Sequence, residues 1–294
     1  MPTNELNRMD SELFKSVGRS FYATGVIGIG LIHFVLPGVR PIMAPLGPDE
    51  VWGGLGYTVA VVLTTAGIVL LMNKKSQIAS IVITMVFLLF LLIGHLPNRL
   101  QNHPEMLMYW TDAIKLLALT GGAMVMYRAG DREKALSKYK VPDRVADSGK
   151  YLYAFMLVMF GIAHLVNGDL VKNIVPGWIP GNLFWTYLTG VALMGAGVSI
   201  FISVKVRQIM TLLAIMLFIW LMVVHLPPTI KYPLRDPVNS FLDGNLAISS
   251  LQCLAFCGIA LVLRFRAGTA DHDSNRGAFT GSEKRMSFQS SERE

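Results

Sequence analysis

Apolar residues in this chain do not alternate with polar ones. They run together in blocks close to the 20 or so residues a helix needs to cross the hydrocarbon of a bilayer. Eight such blocks stand out, at 17–36, 51–72, 76–96, 107–127, 151–166, 183–204, 206–226 and 245–263, the fifth being the shortest. Their continuous apolarity predicts helices, because within lipid only helices or closed barrels satisfy every backbone N–H and C=O. The third and seventh blocks are expected to stop at Leu-Pro, since proline cannot continue a helix. The stretch up to about Lys15 is polar, without the basic patch, short apolar run and cleavage site of a secretory signal. Residues 128–149 read as a polar linker with Gly130-Asp131 and Pro142-Asp143 as turn signals and a short surface helix near 132–139. Beyond Gly268 the chain is rich in Ser, Arg and Glu, the composition of a disordered tail.

The blocks also repeat. Phe160-Gly161-Ile162-Ala163-His164 matches Gly28-Ile29-Gly30-Leu31-Ile32-His33 at an offset of 131 residues. His225-Leu226-Pro227 matches His95-Leu96-Pro97, and Ala196-Gly197 matches Ala66-Gly67, at an offset of 130. A fixed long period marks a duplicated unit. The organisation read from it is a four-helix unit over 1–127, a linker over 128–149, a second four-helix unit over 150–265 and a tail over 266–294. Four spans is an even number, so both units insert in the same direction, as parallel repeats about an axis along the membrane normal.

Composition and charge fit that picture. Hydrophobic residues make up 53% of the 294 and charged residues only 15%, against about 25% charged in soluble domains. The fold class is an all-α integral membrane protein. The net charge of +7 does not point to nucleic acid, because the cations sit in short connections. Lys74-Lys75, the 128–150 region, Lys205 with Arg207, and Arg264 with Arg266 share one side; Arg40, Arg99, Lys172 and the Lys231–Arg235 stretch leave the other side poorer in cations. The positive-inside rule then places both termini in the cytoplasm, in a bacterial inner membrane. The two cysteines, Cys253 and Cys257, lie in one apolar block and form neither a disulfide framework nor a zinc pattern. Spaced four apart on one helix, they read as small packing residues rather than as a redox pair.

The candidate chemistry lies at the outer ends of the spans. His33 and His164 fall within the first and fifth blocks, His95 and His225 at the ends of the third and seventh. Imidazole titrates near neutrality and ligates metals, and an ionisable group inside an apolar run is a functional-site hypothesis by default. The competing reading is structural: a histidine at a helix C-terminus bonds the last carbonyls. Above these residues run two apolar, Pro- and Gly-rich connections, 37–48 and 174–180, read as segments lying in the outer interface or dipping into it, with Trp178 and Trp185 as anchors. Asp112 and Lys115, three apart in the fourth block, share a helix face, and alignment of the repeats puts Ser249 and Gln252 opposite them. Lys115 lies about 12 Å along its helix, either as a pair with Asp112 that snorkels outward or as part of a pocket with His33, His95 and Asp112.

Gly-Ile-Ala-His164, Val175-Pro176-Gly177-Trp178-Ile179-Pro180, His225-Leu226-Pro227 and, in the first half, Gly30-Leu31-Ile32-His33, His95-Leu96-Pro97 and Lys115-Leu116-Leu117-Ala118-Leu119-Thr120-Gly121-Gly122 resemble the DoxX-like family of small four-span membrane proteins. The resemblance covers both membrane units but not the linker or tail. It implies a four-helix bundle per unit. Some members are subunits of quinone-reactive oxidoreductases, so the expectation is a redox-associated subunit handling a quinone or similar lipophilic carrier, with haem as a less favoured cofactor. His33, His95, Asp112 and Lys115 are then the catalytic candidates, His164 and His225 the cofactor-binding ones, and no metal set is assigned. The alternatives are a non-catalytic partner or assembly subunit of a larger membrane complex, and a small-solute permease.

Overall fold

The computed structural model describes residues 3–36, 38–46, 49–130, 141–235 and 243–265. Among them are eight long helices and no strand: α1 (Thr3–Val35), α2 (Asp49–Leu71), α3 (Ser76–Gln101), α4 (Thr111–Ala129), α5 (Asp143–Val166), α6 (Asn182–Ile202), α7 (Val206–Lys231) and α8 (Asn245–Phe265). Six of them, α2, α3 and α5 to α8, are long and apolar enough to cross a membrane. The other two fall short because of polar residues: α1 carries Lys15, Arg19 and His33, and α4 carries Asp112, Lys115 and Arg128. Large apolar side chains such as Phe184, Val191, Leu212 and Ile215 stand exposed on α6 and α7. That arrangement is consistent with contact with lipid. The surface helix expected near 132–139 and the tail beyond residue 265 lie outside the described residues.

Several helix boundaries differ from the sequence expectation, and α1 already begins at Thr3. α3 and α7 do not stop at Leu-Pro. Each passes through a π turn, Phe90–His95 and Leu221–His225, and continues helically to Gln101 and Lys231. The wider i→i+5 turn shifts the hydrogen-bond register just ahead of the proline, which has no N–H to donate. Both turns end on the histidine. The short fifth block is also longer than expected: α5 starts at Asp143 and extends two turns into the polar linker. Arg128 at the end of α4 holds that extension, donating to Asp147 Oδ1 at 2.9 Å and to Asp143 Oδ1 at 2.8 Å.

Glycine sets the closest helix crossings. A Cβ at Gly18 would lie 2.7 Å from the carbonyl oxygen of Gly258, and one at Gly149 2.5 Å from that of Gly121, so α1 meets α8 and α5 meets α4 backbone to backbone. Small residues permit such approach where lipid removes the hydrophobic drive. Two tyrosines bond across the same region: Tyr22 Oη donates to Leu119 O at 2.6 Å, and Tyr153 Oη donates to Phe256 O at 3.0 Å. Both are fully buried. Tyr153→Phe is expected to lower stability by about 1 kcal/mol, the net worth of one such bond, since Phe256 O keeps its own helix. Denaturant titration in detergent checks this, and a loss above about 3 kcal/mol would contradict it.

Candidate functional site

In the first half the two histidines hold a loop. His33, fully buried in α1, donates from Nδ1 to Ile29 O at 2.7 Å, leaving Nε2 bare to accept the backbone N–H of Arg40 at 3.4 Å. His95, fully buried at the end of the α3 π turn, donates from Nε2 to Ile42 O at 3.3 Å. Its Nδ1 has no hydrogen-bond partner. Between these clamps the connection 38–46 turns inward: Arg40, Ile42, Met43 and Ala44 are all buried. Gly94 accommodates Ala44, and Gly56 accommodates the backbone of Gly38. The segment expected to lie in the outer interface or dip into it is packed among the helices, where two histidines satisfy its backbone in the absence of water. Arg40, expected only as a topology charge, is the largest fully buried side chain.

In the second half the corresponding space is open. A cavity of about 450 Å³ lies at the end where α5 and α7 finish and α4, α6 and α8 begin. Met156, Leu193, Leu217 and Phe256 are among its apolar walls, while His164, His225, Lys115, Thr186, Thr189 and Ser249 are among its polar members. His164 repeats the His33 geometry, donating from Nδ1 to Phe160 O at 2.7 Å. Its Nε2 and the ring of His225 have no hydrogen-bond partner among the described residues. Trp220 donates from Nε1 to Thr189 Oγ1 at 3.1 Å and meets Trp185 edge-on, the centroids 6.4 Å apart. The Cys253 and Cys257 thiols donate to Leu217 O and Ala214 O on α7, which agrees with the packing reading.

The connection after α5 stays outside the helices. Its Asp169 carboxylate meets Lys172 Nζ at 2.6 Å, and the bond and charge of that ammonium hold the carboxyl below its ordinary range. Ile174 is 57% and Trp178 74% exposed, and a Cβ at Gly177 would meet nothing within 4 Å, while Val171 and Val175 turn inward to line the cavity.

The four first-half candidates do not converge on one pocket. His33 and His95 are sealed against the loop. Asp112 faces a separate cavity of about 250 Å³ with Arg99, Asn98 and Asn245. Lys115 lines the large cavity of the other half, while its ammonium holds Asp112 Oδ1 at 2.6 Å, so this pair stands between the two cavities. The internal pair anticipated from the i,i+3 spacing is present; the half that it faces was not legible. Thr189 and Trp220 were also missed, although Trp220 lies five residues ahead of His225 on the same helix. Among the described residues no three His, Cys, Asp or Glu side chains gather as metal ligands.

One family model matches. Residues 153–240 are similar to a domain of unknown function, DUF8561. No curated protein matches the chain, and no solved structure does. The matched segment carries α5 to α7 and with them His164, Trp185, Trp220 and His225, a large part of the cavity wall.

Proposed function

We propose that this chain is a redox-associated membrane subunit that binds a quinone or similar lipophilic carrier, and that the carrier sits in the second half. The observation that carries this reading is the 450 Å³ cavity with apolar walls, lined by His164, whose Nε2 has no partner among the described residues, and by His225. That volume lies within the roughly 300–1,000 Å³ of small-molecule sites, which combine apolar walls with a few polar groups. The resemblance to DoxX-like proteins supports the same chemistry.

The frame is a pair of fused four-helix units spanning the membrane eight times, with both termini in the cytoplasm of a bacterial inner membrane. The repeated contacts support the duplication: Tyr22 to Leu119 recurs as Tyr153 to Phe256, and Gly18 with Gly258 recurs as Gly149 with Gly121. α1 and α4 complete the eight spans as members packed against the other helices, where Asp112 and Lys115 neutralise each other. On this topology the cavity opens near the outer face.

Photolabelling of purified full-length protein with an azido-quinone, followed by peptide mapping, tests the assignment. Label is expected on α5 to α8, around Trp185, Trp220 and Cys253, and competed by unlabelled quinone. Label confined to lipid-facing residues, or not competed, would overturn it.

A further inference from the structure

The buried loop of the first half and the cavity of the second correspond position by position. Five of the residues that meet the loop are His33 at the N–H of Arg40, Gly56 at Gly38, Gly94 at Ala44, His95 at Ile42 O, and Gln252, whose Nε2 lies 3.8 Å from Met43 Sδ. The residues 130 or 131 further on from the first four are His164, Thr186, Val224 and His225, and the repeat partner of Gln252 is Lys115. All five partners line the cavity. The first unit thus holds a segment of its own chain where the second holds empty space.

We infer that the cavity takes a neutral lipophilic molecule bearing one N–H or O–H donor and one carbonyl acceptor, grasped by His164 and His225 as His33 and His95 grasp Arg40 N–H and Ile42 O. This rests on the duplicated-unit, carrier-binding reading above. The donor requirement is set by His164: its Nδ1 proton is committed to Phe160 O, so Nε2 can only accept. The acceptor requirement follows from His225, which stands at the end of the same π turn as His95 and whose counterpart donates from Nε2 to a carbonyl. Neutrality follows from Lys115, whose charge is already matched by Asp112 at 2.6 Å.

A 2-heptyl-4-quinolone carries one ring N–H and one carbonyl on an apolar body, and its N-methyl analogue has a methyl group in place of the donor hydrogen. Binding of both to the full-length protein is read by quenching of tryptophan fluorescence, beside a short-chain quinone. The parent is expected to bind about tenfold more tightly than the N-methyl analogue, one unmade hydrogen bond to a buried acceptor. His164→Phe is expected to remove that preference, so that parent and analogue bind the variant with equal affinity. Equal binding of the two quinolones by the unmodified protein would overturn the inference without recourse to any variant. Saturable quinone binding with no quinolone binding would overturn it and leave the carrier reading standing. Binding of neither class would overturn both.

Discussion

Gly258→Leu is expected to be the most damaging single substitution in the helical framework. A Cβ there would meet Tyr22 N at 2.6 Å, and the carbonyl oxygen of Gly18 is closer still. Both are backbone atoms, so no side chain can rotate away. α8 would have to part from α1, breaking the contact along Gly18 and Gly25 as well. Overpacking usually costs 1–3 kcal/mol, and occasionally more; with backbone on the opposing side, about 3 kcal/mol or more is expected, roughly a 10 °C fall in unfolding midpoint. Fluorescence-detected thermal unfolding in detergent measures it. Gly195→Leu is the control, because nothing lies within 4 Å of a Cβ at Gly195. Equal midpoints for the two variants would contradict the packing described.

The second large effect concerns the buried loop. Replacing both His33 and His95 with phenylalanine leaves the Arg40 N–H and the Ile42 carbonyl without their partners in a water-free interior. Each orphaned group costs about 1–3 kcal/mol, and the loop's stable alternative is to leave the bundle, as the 172–181 connection does in the second half. Met43→Cys reports this directly in a background with Cys253 and Cys257 changed to alanine. Met43 is fully buried, so a water-soluble maleimide is expected to leave Met43→Cys unlabelled with both histidines present. With both replaced, labelling is expected to rise at least tenfold, in step with a loss of 1.4 kcal/mol or more in loop closure. Unchanged protection would show that the histidines do not hold the loop.

Much of the frame was legible in the sequence. Every apolar block became a helix, because a run of about twenty such residues has no other way to bury its backbone in lipid. His33 and His164 each bond the carbonyl four residues back, His95 and His225 each end a π turn, and the i,i+3 spacing of Asp112 and Lys115 is realised as an ion pair. What failed to show was which side of α4 that lysine faces. α4 packs between the two halves, touching α3 on one side and α5 on the other, and its sequence alone does not rank those neighbours. The fate of the two connections was equally hidden. Both are apolar and rich in Pro and Gly, yet the first is buried along 39–44 while the second buries little more than Val171 and Val175. The difference lies in partners far along the chain: Gly56 and Gly94 leave room for the first loop, whereas Thr186 and Val224 stand at those places in the second half. The Leu-Pro boundaries misled because proline's missing N–H stops an α-helix but can be passed after a π turn.

The central claim is that the second-half cavity, not the first-half histidine pair, receives a lipophilic carrier. Trp185 and Trp220 both line that cavity, and a bound quinone would lie against them. Titrating a short-chain quinone into the purified protein should quench tryptophan fluorescence saturably, at one site per chain. Val224→Phe, which fills the space beside His225, should abolish the saturable component, while His33→Phe should leave it intact. Quenching that is linear in quinone and identical in all three proteins would contradict the account.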